Sequence, residues 1–158
     1  MVAMAKLVRI LCKGDKMLNM AIRDNRVVLA RADPHDLSQQ WLKDYSTTGR
    51  VTDDYGQSAF ALVNKATGQA LVNKDIPRPA DGLVPVQLAP YNGKERVDLS
   101  MLWTKGNYLD GEFCEVRVLR DYSKTLHGLF GYDTEGTVVG IYPSAPSTPN
   151  TVWKMTPI

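Results

Sequence analysis

Apolar residues recur in short runs along this chain, and their period is two. Runs at 7–12, 26–29, 60–63, 84–88, 114–119 and 137–142 are rich in Val, Ile, Leu, Phe or Tyr. Turn formers bound them, among them Lys13-Gly14-Asp15, Asp24-Asn25, Thr67-Gly68, Asn92-Gly93 and Glu135-Gly136. Alternation between such punctuation predicts half-buried β-strands joined by tight turns. No window carries apolar residues at i, i+3, i+4 and i+7, so no amphipathic helix is expected. The pattern predicts an all-β chain.

The strands fall into a repeat. Trp41, Trp103 and Trp153 each follow an apolar pair or triplet and a loop with proline: 27–29 with Pro34, 86–88 with Pro90, and 138–139 with Pro143 and Pro149. Ahead of each stands another strand pair, 7–12 with 18–22, 60–63 with 70–72, and 114–119 with 126–130. A single unit of this kind is two marginal hairpins with half-covered faces. Three around one axis close a barrel, remove the exposed edges and pool their tryptophans in one core. The expected architecture is a β-trefoil of three four-stranded units with pseudo-threefold symmetry, the units covering about 6–56, 57–110 and 111–158 of a single domain.

Composition narrows the function. At 158 residues, 44% hydrophobic and 23% charged, the chain reads as one ordinary globular domain. Lys and Arg total 19 against 17 Asp and Glu, and no basic run is present, so nucleic acid is not an expected partner. No apolar stretch approaches the ~18 residues of a membrane span, so no membrane insertion is expected. Lys6 and Arg9 interrupt the apolar start before a signal-peptide core forms. Cytoplasm and nucleus are the expected locations. Cys12 and Cys114 are too few for a disulfide framework, and each lies in an alternating apolar run where a small buried hydrophobe fits. With His35 and His127 far apart in unrelated contexts, no metal or other cofactor is expected.

Gln39-Gln40-Trp41 matches the Gln-x-Trp signature of ricin-B-like lectin domains. The surrounding text resembles one plant branch of them, the Euonymus-type lectins, which include proteins responsive to abscisic acid, drought and salt. The resemblance is carried by Val8-Arg9-Ile10-Leu11-Cys12-Lys13, Arg23-Asp24-Asn25-Arg26-Val27-Val28-Leu29-Ala30, Ala32-Asp33-Pro34, Trp41-Leu42-Lys43-Asp44, Phe60-Ala61-Leu62-Val63-Asn64-Lys65-Ala66-Thr67-Gly68 and Leu102-Trp103-Thr104. It is dense from Val8 to Gly106 and thins beyond Phe113 to the strand pattern and the last Trp. It implies carbohydrate binding without catalysis, with glycans or glycoproteins as partners, and useful avidity from multivalent glycans or a homo-oligomer.

The same resemblance implies where a sugar would sit: an acid on a unit's second strand, an aromatic ending its third, and an Asn or Gln shortly before its Trp. The first unit keeps Gln39 but offers Asn19-Met20-Ala21 in place of the acid and Leu29-Ala30 in place of the aromatic; Asp24 and Asp33 are the polar groups nearby. The second unit has Leu88-Ala89 and Met101 at the corresponding places. The third unit, where the resemblance implies the best site, is remodelled: no acid stands near Leu126-His127-Gly128-Leu129, Thr151 replaces the Gln, and the loop Pro143 to Pro149 is long, so its sugar preference is changed or its binding lost. Ile141 falls at the platform with Tyr142 beside it, Asn150 stands three before Trp153, and His127 is the polar group on the second strand. The candidate carbohydrate-binding residues are therefore Tyr142, Asn150 and His127, with Asp24, Asp33 and Gln39 around the first unit. Asp24-Asn25 also suits a tight hairpin turn, and Gln39 has its own amide to satisfy beside a buried Trp.

Enzyme readings find little. Asp53-Asp54 and Glu112 are carboxylates with nothing in the sequence to converge them on one cleft, and no nucleophile stands in a motif with a base. The alternative to glycan recognition is a trefoil whose sugar sites have decayed and whose loops bind protein, a protease inhibitor being one form.

Overall fold

The structure, a computed structural model, describes residues 5–46, 51–74, 84–93, 97–129, 132–145 and 148–158. It carries twelve strands in three successive sets of four: β1 (Ala5–Cys12), β2 (Leu18–Arg23), β3 (Arg26–Arg31) and β4 (Trp41–Asp44); β5 (Ala61–Asn64), β6 (Gln69–Val72), β7 (Gln87–Pro90) and β8 (Trp103–Lys105); β9 (Val116–Val118), β10 (Asp121–Gly128), β11 (Val139–Pro143) and β12 (Trp153–Pro157).

Pairing closes a ring. β1 pairs with β4 and β12, β4 with β5, and β8 with β9, all antiparallel. Single bridges, Phe60 with Trp103 and Cys114 with Trp153, close the two remaining gaps. The wall is thus β1–β4–β5–β8–β9–β12, while the hairpins β2–β3, β6–β7 and β10–β11 form a cap. The hairpins meet through bridges Val28–Val138 and Pro85–Gly140. This is the β-trefoil that the three tryptophans predict.

The tryptophans occupy equivalent places in it. Trp41, Trp103 and Trp153 are each fully buried. They stand across the ladder from Val8, Phe60 and Cys114 respectively. Each indole N–H donates to a carbonyl on its own set's second strand: Trp41 to Met20 at 3.0 Å, Trp103 to Leu71 at 3.2 Å, Trp153 to Leu126 at 3.1 Å. A buried indole must place its one donor, and here the same bond is used three times. A 3-10 turn precedes each one, Leu37–Gln39, Leu99–Met101 and Pro149–Thr151. Asp36 and Asp98 cap the first two by accepting from the N–H of Ser38 and Ser100. Cys12 and Cys114 are free, buried, and flank Trp153 on its two neighbouring strands.

Two strands depart from the apolar runs. β7 begins at Gln87 rather than at 84, because Pro85 has no N–H and takes part only in an isolated bridge. β10 begins at Asp121, ahead of the apolar run, and its exposed first half joins the ladder through a register shift between Asp121 and Thr125. At the turn between β2 and β3, Asp24 (φ 50°) and Asn25 (φ 60°) both adopt the left-handed conformation of a two-residue hairpin turn.

Candidate functional site

Equivalence of the tryptophans makes the rest of each set comparable, position by position. Tyr142 on β11 lies across from Thr125 on β10, one residue before the Trp153 acceptor Leu126. The same register puts Ala30 across from Asn19, and Ala89 across from Ala70. Tyr142 therefore stands where the other two sets carry alanine. Of the two neighbours, Ile141 is buried in the core and Tyr142 faces outward.

Tyr142 is 42% exposed while Ala30 is 7% exposed, so only the third set presents an aromatic surface at this position. The His127 ring packs beside it, centroids 5.1 Å apart and planes tilted by 49°. Burial pushes the His127 imidazole below its ordinary pKa, against the bond that Nδ1 donates to the Gly128 carbonyl at 2.6 Å. A neutral imidazole beside a half-exposed phenol offers an apolar face and polar edges together. Sugar rings, with one CH-rich side and hydroxyls at the rim, need that combination. Asn150 lies in the turn Pro149–Thr151, which leads into Trp153; its side chain falls outside the described residues.

What holds this loop is Glu115, which sequence reasoning missed. Its side chain is fully buried. The Ser144 hydroxyl donates to it, 2.8 Å from each carboxylate oxygen, and the Ala145 N–H donates at 3.2 Å. Arg117 forms an ion pair with it at 3.2 Å. Thr151 completes the brace, its hydroxyl 2.7 Å from the Ala145 carbonyl and 2.8 Å from that of Thr148. Alternation carried back from β9 would put Glu115, which precedes it, on the face away from Val116, toward solvent. Only the loop returning over it buries it, and strand periodicity carries no signal for that.

In the first set, Gln39 is fully buried and spoken for. Its Oε1 accepts from Asn19 at 3.1 Å and the Asp33 N–H at 3.0 Å, and its Nε2 donates to the Arg31 carbonyl at 2.9 Å. Asp33 is exposed and its Oδ1 accepts the His35 N–H. Asp36 forms an ion pair with Arg23. Burial acts to raise the Asp36 carboxyl, but bonds from Ser38 and Arg23 outweigh it and hold it low. Around these groups lies a cleft of about 760 Å³, lined by Arg23, Asp24, Arg26, Arg31, Asp33 and Glu135 among others. The structure thus brings Asp24, Asp33 and Gln39 to one cleft and Tyr142 and His127 to another place.

The carboxylates considered for catalysis are scattered. Asp53 is buried in a turn, accepting from the N–H groups of Tyr55 and Gln57, and Glu112 pairs with Lys154 at 3.8 Å. Among the described residues, no group of His, Cys, Asp and Glu is arranged to hold a metal ion.

No protein-family model matches the chain. Curated relatives do. Ricin B-like lectin R40C1 of Oryza sativa subsp. japonica is 34% identical over 94% of this chain and 42% of its own length. Ricin B-like lectin R40G3 of the same plant is 36% identical over 83% and 61%, and ricin B-like lectin EULS3 of Arabidopsis thaliana is 33% identical over 83% and 39%. The chain therefore spans about two to three fifths of the length of these relatives. Among solved structures, the Macrolepiota procera ricin B-like lectin in complex with lactose superposes with a TM-score of 0.70 at 13% identity, covering 100% of this chain and 99% of that one. A designed threefold-symmetric protein, ThreeFoil, superposes at 0.69 with 15% identity over 96% and 99%. At these identities the structural likeness speaks for the fold.

Proposed function

This chain belongs to the ricin B-like lectins, in the Euonymus-type branch, and from that premise we propose that it binds glycans without catalysing a reaction. The observation that carries the reading is the placement of Tyr142. Of the three equivalent positions, this is the one with an exposed aromatic, and His127 packs against it. The pyranose CH face would stack on Tyr142, and hydroxyls would be met by His127 and by Asn150. Glu115 acts behind them by fixing where the loop after β11 begins.

A shallow site of this kind gives weak monovalent affinity, so avidity would come from multivalent glycans or from an oligomer. Asp24 and Asp33 would offer hydroxyl acceptors in the first-set cleft, with Gln39 as the residue that positions Asp33. A plant protein acting in the cytoplasm and nucleus under abscisic acid, drought or salt stress is the setting that this branch supports.

A glycan array on the purified chain, repeated with Tyr142→Ala, tests the reading. Saturable binding that falls about three- to tenfold in the variant is expected, a stacked aromatic being worth on the order of 0.5–1.5 kcal/mol beyond its buried area. An empty array, or an unchanged affinity in the variant, overturns it in favour of a trefoil that recognises protein through its loops.

A further inference from the structure

A second cleft, about 460 Å³, lies between the second and third hairpins, and its charge is the reverse of the first. Lys74, Arg120 and Lys124 line it against one carboxylate, Asp121. Lys124 pairs with Asp121 at 3.7 Å. Asp98, whose carboxyl is held low first by the Ser100 N–H, also feels Arg120 and Lys74. Counting it, cations still outnumber carboxylates. In the first-set cleft, Arg23, Arg26 and Arg31 face Asp24, Asp33, Asp36 and Glu135. One cleft suits neutral hydroxyl donors; the other attracts an anion.

Asn73, in the wall of this cleft, supplies a second and independent sign. It is 3% exposed, and its Nδ2 donates to the Leu102 carbonyl at 2.9 Å while its own N–H reaches the Ser100 carbonyl at 2.7 Å. Its Oδ1 has no hydrogen-bond partner among the described residues. Nothing in the threefold scheme calls for a polar group there. Two residues after the tryptophan's acceptor, the other sets carry Ile22 and Gly128. A buried acceptor without a donor is costly unless something supplies one. The remaining lining is apolar, with Val84, Val118, Ile141 and Pro143, and Tyr142 is part of it.

We propose that this cleft, which Tyr142 borders, is a subsite selective for acidic sugars, continuous with the Tyr142 platform. A carboxylate or sulfate would be drawn in by Lys74, Arg120 and Lys124. A ring hydroxyl would donate to Asn73 Oδ1, and the CH face would rest on Pro143 beside Tyr142. The saccharide class rests on the function proposed above, but Lys74, Arg120 and Asn73 belong to this cleft alone.

The full chain is titrated calorimetrically with oligogalacturonate, with a sulfated heparin oligosaccharide and with a neutral galactan oligomer. At least one acidic ligand binds about tenfold tighter than the neutral one and weakens as salt rises, and which acid it is names the anionic group. The double variant Lys74→Ser, Arg120→Ser, both at exposed positions, loses that margin and keeps neutral-glycan binding. Equal affinity for neutral and acidic oligomers overturns the proposal. So does an unaffected double variant, or full displacement by inorganic sulfate at matched anion concentration. Acid binding that depends on Lys74 and Arg120 but survives Tyr142→Ala supports this cleft and overturns only the stacking role of Tyr142.

Discussion

Arg9 and Glu115 occupy the same place in two of the three sets and carry opposite charges. Each follows the residue that pairs with its set's tryptophan, Val8 with Trp41 and Cys114 with Trp153. Arg9 reaches the Asp33 carbonyl and Gln39 Oε1, both at 3.4 Å. Glu115 takes Ser144 and Ala145. In the second set the position is Ala61. A wall strand thus pins the loop before the tryptophan by a cation in one set and an anion in another, so the loops of an approximately symmetric body are separately addressable.

The Glu115 brace can be measured. Glu115→Ala removes the hydrogen bonds from the Ser144 hydroxyl and the Ala145 N–H and its ion pair with Arg117, and should cost about 2–3 kcal/mol in urea unfolding. Glycan affinity should fall with it, because the loop start is released. Arg9→Ala, with longer and partly exposed contacts, should cost under about 1 kcal/mol.

Replacing an indole by a benzene ring probes the threefold bond. Trp41→Phe, Trp103→Phe and Trp153→Phe each leave a buried carbonyl without its donor and open space in the core, costing about 2–4 kcal/mol. Equilibrium unfolding of the three variants should give losses alike to within about 1 kcal/mol. One variant standing far apart would break the equivalence of the three sites.

Gly140 is where the second and third hairpins touch. A Cβ there would lie 2.5 Å from the Val84 carbonyl oxygen and 2.5 Å from the Leu129 side chain. Gly140→Ala should therefore lower stability by about 1–3 kcal/mol, read as a fall in melting temperature. Gly56→Ala, which meets no atom within 4 Å, should show only the strain of its positive φ.

The depressed pKa of His127 makes stability depend on pH in a definite direction. The unfolded imidazole titrates near 6.5, while the folded one is held lower by burial. The unfolded state then binds more protons, so stability falls as pH drops below about 6.5 and levels off once the folded pKa is passed. Unfolding free energies between about pH 7.5 and 5 should show this slope, and His127→Gln should flatten it. Glycan binding at Tyr142 should weaken over the same interval, since charging the imidazole alters the rim of the platform.

The repeat was readable from the chain because its cause is local. Turn pairs such as Asp24-Asn25 and runs of alternating apolar residues act through neighbours a few residues away, and the three well-spaced tryptophans mark the repeat although each indole bonds a carbonyl more than twenty residues back. Register was less legible. The sequence alone leaves Ile141 and Tyr142 side by side as platform candidates, with Tyr142 the stacking residue, and one residue of slip on a strand exchanges the faces; in the β10–β11 ladder Ile141 turns into the core and Tyr142 outward. Glu115 is not singled out in the sequence, because strand alternation cannot see a loop that folds back over it.

The amino-acid order by itself determined a closed all-β body of three like parts with a tryptophan in each, since the period of the side chains and the chemistry of the turns dictate it. Tertiary structure alone decided which groups meet: Glu115 under Ser144, Asn73 with an idle acceptor in a basic cleft, Tyr142 beside His127. Those contacts join residues far apart along the chain or on different strands, and their geometry follows from how the barrel closes rather than from any local preference.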